Sequence, residues 1–155
     1  MELTTTRPEP LVVRSSVRVR LGREAAFALF TADATRWWPL ASHSVFDAQA
    51  ASVTFEPWVG GRIIETATDG RTEVWGVISA WDAGRRFESS WHPGLDPSEA
   101  TRLEVTFSDI PQGGTRVDLL HTGWETRGAE ATERAAGYEL GWKFVLGRYV
   151  AVGDA

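Results

Sequence analysis

The chain is 155 residues long, 43% hydrophobic and 24% charged, the make-up of an ordinary globular domain able to bury a core of its own. Its formal net charge of −5, with no basic cluster denser than Arg85-Arg86, argues against nucleic acid as a partner, and the absence of cysteine excludes disulfides, thiol nucleophiles and cysteine-ligated metals. With no apolar run long enough to span a bilayer and no apolar signal core at the start, a cytoplasmic protein without membrane insertion is expected.

Residues 1–10, polar with Pro8 and Pro10, read as a flexible N-terminal arm ahead of a single domain over 11–150, with 151–155 as a C-terminal tail. The run from Leu11 to Leu21 alternates. Leu11, Val13, Val17, Val19 and Leu21 share one face and Arg14, Arg18 and Arg20 the other, as in a half-buried strand. Ala26, Phe27 and Phe30 then recur at helical spacing. Asp33 is placed to cap a second short helix that Pro39 stops. That helix ends in Trp37-Trp38, two of eight tryptophans. Neighbouring helical positions point about 100° apart, so one indole can enter the core while the other needs a second apolar surface, for which a cavity is one source. Which of the two faces a cavity stays open at this level.

From about residue 51 to 124 the chain reads as six strands joined by turns. "SVTFEP" alternates, "TDGR" carries the Asp-Gly hairpin signal, and "TEVWGVISAW", apolar on both faces, suits a central strand. "RFESSWH" follows, then "TRLEVTF" with Leu103, Val105 and Phe107 on one face, then "RVDLLHTGW". The last segment, roughly 128–150, is helical, with Ala135, Tyr138, Trp142, Val145 and Tyr149 at spacings of three and four. A rod of about 33 Å is long enough to cross a whole sheet. The fold class expected is α+β, an antiparallel sheet with one apolar face covered by the C-terminal helix.

The ordered set "TADATRWWP", "FEPWVGGRIIETATDG", "WGVISAW", "RRFESSW", "LLHTGW" and "GYELGWKFVLGRYV" resembles the SRPBCC, or START-like, superfamily, and within it the homologues of the activator of the heat-shock protein 90 ATPase. The resemblance runs over residues 11–150 and implies a helix-grip fold: a curved seven-stranded antiparallel sheet around a long C-terminal helix, with two short helices after the first strand and a cavity between sheet and helix. Related families carry lipids, bind plant hormones or act as polyketide cyclases and aromatases. The branch often has a proline in the turn that here reads "WDAGRR", Trp81 to Arg86. The eukaryotic co-chaperone that names the branch has an additional domain, for which a chain of this length is expected to have no room.

No GxSxG, HExxH, P-loop or GxGxxG motif is found, and no cofactor is expected. His43, His92 and His121 lie in separate segments, His92 on the outward parity of its strand, so no metal site is predicted. His121 shares the inward parity of Val117 and Leu119. It reads either as an acid, base or donor toward a ligand, or as a hydrogen bond tying the strand to the helix or to an indole. Glu65, on the parity of Ile63 and Ala67, reads as a buried acid or, preferred, as a surface ion pair with Arg62 or Arg71. Arg85-Arg86 reads as solvated charge. Gly141, beside the Tyr138/Trp142 stripe, leaves room for a ligand or marks a tight approach of helix to sheet. The expected function is binding of a small, largely apolar molecule, with Trp38, Trp75, Trp91, Phe107, His121, Tyr138 and Trp142 as walls and His121 and Tyr138 as orienting groups. The alternatives are a polyketide cyclase or aromatase-like enzyme using His121, Tyr138 or Glu65, and a co-chaperone-like module with a protein partner.

Overall fold

The computed structural model describes residues 11–155; the N-terminal arm assigned to residues 1–10 lies outside them. The first strand, β1 (Val13–Val19), is followed by the helix α1 (Arg23–Phe30) and a 3-10 turn over Ala34–Arg36. Six further strands come next: β2 (Ala50–Phe55), β3 (Arg62–Ala67), β4 (Thr72–Asp82), β5 (Arg86–Trp91), β6 (Thr101–Asp109) and β7 (Thr115–Thr122). A 3-10 segment, Trp124–Glu130, leads into the long helix α2 (Ala131–Gly153), which therefore takes up most of the expected tail. Asp33 does stand at the N-cap of the 3-10 turn, but its side chain makes no capping bond.

All neighbouring strands are antiparallel, in the order β1-β7-β6-β5-β4-β3-β2. The meander from β2 to β7 follows the chain, and β1 closes it by pairing with β7 from Val13 opposite His121 to Val19 opposite Thr115. The sheet curls into a half-barrel gripping α2, the helix-grip arrangement. Strand parity explains which face is filled. Leu103, Val105 and Phe107 of β6 and Val117, Leu119 and His121 of β7 point inward and are buried, while Arg86, Glu88, Arg102 and Glu104 form an ion-paired ladder on the outer face. Arg86 thus belongs to that ladder, whereas Arg85 is solvated.

In β4 the doubly apolar pattern has a different cause from burial on both faces. The register shift opposite Ile63 and Ile64, which leaves Trp75 between the paired Val74 and Gly76, re-phases the strand, so Trp75 and Ile78 both face inward although three positions apart. Val77, left on the outer face, is 42% exposed. Gly76 sits where a Cβ would lie 1.8 Å from the Ser90 carbonyl oxygen, so only glycine admits this approach of β4 to β5. No helix among the described residues is long and apolar enough to cross a membrane.

Candidate functional site

The interior divides along the strands. At one end α1 inserts Phe27 and Phe30 among Phe87, Phe107, Trp37 and Tyr149, with ring centroids 5.1–5.8 Å from Phe30 to its four neighbours. At the other end no helix enters. The loop 39–49 crosses there instead, leaving a pocket of about 450 Å³ against the middle of α2. Its walls are Trp38, Trp75, Trp91, Tyr138 and Trp142, its floor on the helix side Gly141 and Val145, and its rim Ser42–Val45 with Pro93 and Gly94.

The tryptophan pair is resolved by this division. Trp37 is 1% exposed, packs on Phe30 and Tyr149, and donates its indole N–H to the Leu29 carbonyl. Trp38 turns the other way into the pocket, 5.0 Å from Trp75 and 5.9 Å from Trp142, and donates to the His43 carbonyl.

Glu65 is fully buried and makes no ion pair, which corrects the surface reading. Its Oε1 accepts from the Val45 backbone N–H at 2.8 Å and from the Trp75 indole at 2.9 Å, and its Oε2 from the Phe46 N–H at 2.8 Å. One side chain therefore latches the crossing loop to the sheet and fixes a pocket wall. Ile63, Glu65 and Ala67 do share the inner face of β3, and the three N–H donors are what make a carboxyl group tolerable there.

His121 has the second of its two readings. The Trp142 indole, which can only donate, reaches Nδ1 at 3.0 Å, so Nδ1 carries no proton and Nε2 carries it. Nε2 then donates to Thr101 Oγ1 at 2.6 Å, and Thr101 donates onward to the Trp91 carbonyl at 3.0 Å. Burial, with the Arg127 charge as a second cause, pushes the His121 pKa down to about 3, so the ring stays neutral and the relay stays intact at ordinary pH. His121 does not line the pocket; it holds Trp142, which does. Phe107 does not line it either, because its inward face lies under α1 at the packed end.

His92 departs from its expected outward position. It follows the last residue of β5, so strand parity no longer applies, and it is buried with its N–H bonded to the Trp75 carbonyl at 2.6 Å. His43 stacks on Phe144 of α2 with centroids 4.9 Å apart, bridging loop and helix at the pocket rim. No group of three metal-ligating side chains occurs among the described residues. Sequence reasoning missed the rim residues Ser42–Val45, for which an irregular loop offers no periodicity to read. A Cβ on Gly141 would meet nothing within 4 Å, so this glycine borders open pocket space and not a tight helix–sheet contact.

Four tryptophans line the pocket, and three have their indole N–H satisfied by Glu65, His121 or the loop backbone. The fourth, Trp91, is 2% exposed and its Nε1 has no partner. The Tyr138 phenol stands beside it and beside Arg127, whose Nη2 is also buried without a partner. Burial raises the Tyr138 pKa, against the opposing pull of the Arg127 charge.

The family described as Activator of Hsp90 ATPase homolog 1-like protein matches residues 21–149. Among solved structures, an anthrahydroquino-γ-pyrone synthase, Txn09, is 32% identical, with 94% of this chain and 99% of that chain covered at a TM-score of 0.62. The Aha1 dimer from Colwellia psychrerythraea is 14% identical, with 92% and 96% covered and a TM-score of 0.67. Protein MLL2253 from Mesorhizobium loti is 16% identical, with 90% and 94% covered and a TM-score of 0.66. The last two bear on the fold alone. No relative is found among curated proteins.

Proposed function

The chain belongs to the Activator of Hsp90 ATPase homolog 1-like family, and from that premise we propose that it binds a small, flat, largely apolar molecule in the pocket between sheet and C-terminal helix. The observation that carries this reading is the space itself. About 450 Å³ lined by five aromatic side chains is the size and chemistry of a small-molecule site. Buried polar residues are committed to holding its walls: Glu65 fixes Trp75, and His121 fixes Trp142. The co-chaperone-like reading expects a filled interior together with an exposed apolar patch, and the open space beside Trp142 supports it less than it supports ligand binding.

The test is a titration with anthraquinone-2-sulfonate, followed by quenching of tryptophan emission. Saturable quenching at one equivalent is expected in the native chain. In Gly141→Leu, which projects a side chain into the open space without touching the fold, it should be lost while the thermal midpoint holds. Absence of saturable binding, or equal binding in the filled variant, would sink the reading.

A second reading, ring-forming catalysis on such a ligand, is favoured by one observation: the 32%-identical structure is named a γ-pyrone synthase. Of the three groups considered for proton transfer, His121 has both nitrogens engaged and Glu65 both oxygens. Tyr138, with His43 at the rim, is left to do it. Tyr138→Phe would then abolish turnover while the titration above still shows binding; unchanged turnover would end this version.

A further inference from the structure

Among the described residues six tryptophans are buried, and five of their indole N–H groups have an acceptor within hydrogen-bond reach. Trp91 is the exception, and it is the one with its N–H beside Tyr138 at the pocket wall. Buried donors in folded proteins are nearly always paired, so an unpaired one at a cavity wall marks the place of a missing acceptor. The one acceptor beside it is the Tyr138 phenolic oxygen, which faces the indole N–H without closing a hydrogen bond of normal geometry. Arg127 Nη2 is a further donor without a partner, its guanidinium charge lies beside the Tyr138 phenol, and His121, whose ring packs on Tyr138, is neutral with both nitrogens used. The Trp91 carbonyl is itself engaged by Thr101, which fixes the strand end from which the indole projects. Two donors, the Trp91 indole and the Tyr138 hydroxyl, thus meet at one stretch of the pocket wall, with the Arg127 charge behind Tyr138 and outside the lining.

We propose that the Trp91 indole N–H, with the Tyr138 hydroxyl beside it, forms the polar subsite of the pocket and receives a ring-conjugated oxygen of the ligand, a quinone carbonyl or a phenolic oxygen. This rests on the pocket being a ligand site and adds the chemistry that the ligand must carry. The remaining walls are rings at 5.0–6.0 Å from one another, suited to the faces of a fused aromatic system. An apolar molecule of the same shape would leave Trp91 unpaired and lose the difference.

The experiment compares two soluble probes of one outline, anthraquinone-2-sulfonate and anthracene-2-sulfonate, on the full chain. The native protein is expected to bind the quinone about tenfold more tightly, the worth of one buried hydrogen bond. Trp91→Phe, which keeps a ring and removes the donor, should lower quinone affinity to that of the hydrocarbon and leave the hydrocarbon nearly unchanged. A measurement on the native chain covers a variant that fails to fold: the Trp91 indole proton should move downfield in nitrogen-15 correlation spectra with the quinone and not with anthracene-2-sulfonate. If both probes bind equally, or if Trp91→Phe keeps the preference, the subsite is wrong and the pocket stands. If neither binds, the subsite and the pocket reading fall together.

Discussion

The two ends of the interior are built from the same materials and end up different. Both are ringed by aromatic side chains from the same strands and the same helix. At the packed end α1 supplies Phe27 and Phe30, and the polar atoms there are tied to backbone carbonyls: Trp37 to Leu29 and the Tyr149 hydroxyl to Ala26 at 2.7 Å. At the hollow end a loop takes the place of a helix, and two ionisable side chains, Glu65 and His121, hold the indoles apart. A cavity in a protein interior has few stable forms, because side chains collapse into unsupported space. Here collapse is opposed by directional bonds to groups that are themselves fixed.

The largest effect that sharpens this contrast is truncation. Phe30→Ala removes a ring surrounded on all sides and is expected to cost about 3–5 kcal/mol in urea unfolding. Tyr138→Ala at the hollow end faces space on one side already and should cost about half as much or less. Equal losses would mean that the hollow end is as tightly packed as the other and would erase the distinction.

Glu65→Gln tests whether the latch holds the loop. The amide puts an N–H group against one of three donors, and a loss of about 2 kcal/mol is expected. The readout specific to the latch is hydrogen exchange: the Val45 and Phe46 amides should exchange much faster while those of β6 keep their protection. Unchanged exchange at both amides would show the loop to be held by other contacts.

The His121 relay makes stability depend on acidity. Its pKa is about 3 when folded and 6.5 when unfolded, so the unfolded chain binds more protons between those values and stability falls as pH drops through that window. The stabilisation is complete only well above pH 6.5 and is expected to shrink by roughly 2 kcal/mol between pH 7 and pH 5. His121→Gln, able to accept from Trp142 and donate to Thr101 without titrating, should flatten the curve over that range. An identical slope in both proteins would remove His121 as its source.

These distinctions separate what the sequence makes legible from what it does not. Alternation in "TRLEVTF" and "RVDLLHT" reveals which side chains point inward, because the period of a strand is set by its pleat. It does not say how far along the strand each one sits relative to α1. Phe107 and His121 were both correctly oriented by parity, yet one lies in the packed end and the other behind a wall. The expected helix through Trp37-Trp38 is not formed, since the 3-10 turn stops at Arg36 and both tryptophans follow it; that they diverge is legible in the sequence, but which indole enters the cavity depends on the tertiary position of α1. Arg62 and Arg71, near in sequence, suggest an ion pair for Glu65, whereas its true partners are backbone N–H groups nineteen and twenty positions earlier and an indole on the next strand. The missing acceptor at Trp91 is legible only when every other buried indole has been seen to have one.

The smallest effect is also the one that separates packing from ligand space most directly. Gly141 lies within the continuous helix α2 at a position where a methyl group has nothing within 4 Å to strike. Replacing it with alanine should stabilise the chain by about 0.5–1 kcal/mol, since the backbone loses less freedom on folding and no neighbour is displaced. The same methyl narrows the pocket, so affinity for anthraquinone-2-sulfonate should fall by a few-fold as stability rises. Opposite signs for folding and binding are what a position facing ligand space requires. A stability loss on Gly141→Ala would mean that helix and sheet approach closely there, and the space beside Trp142 would then belong to the core.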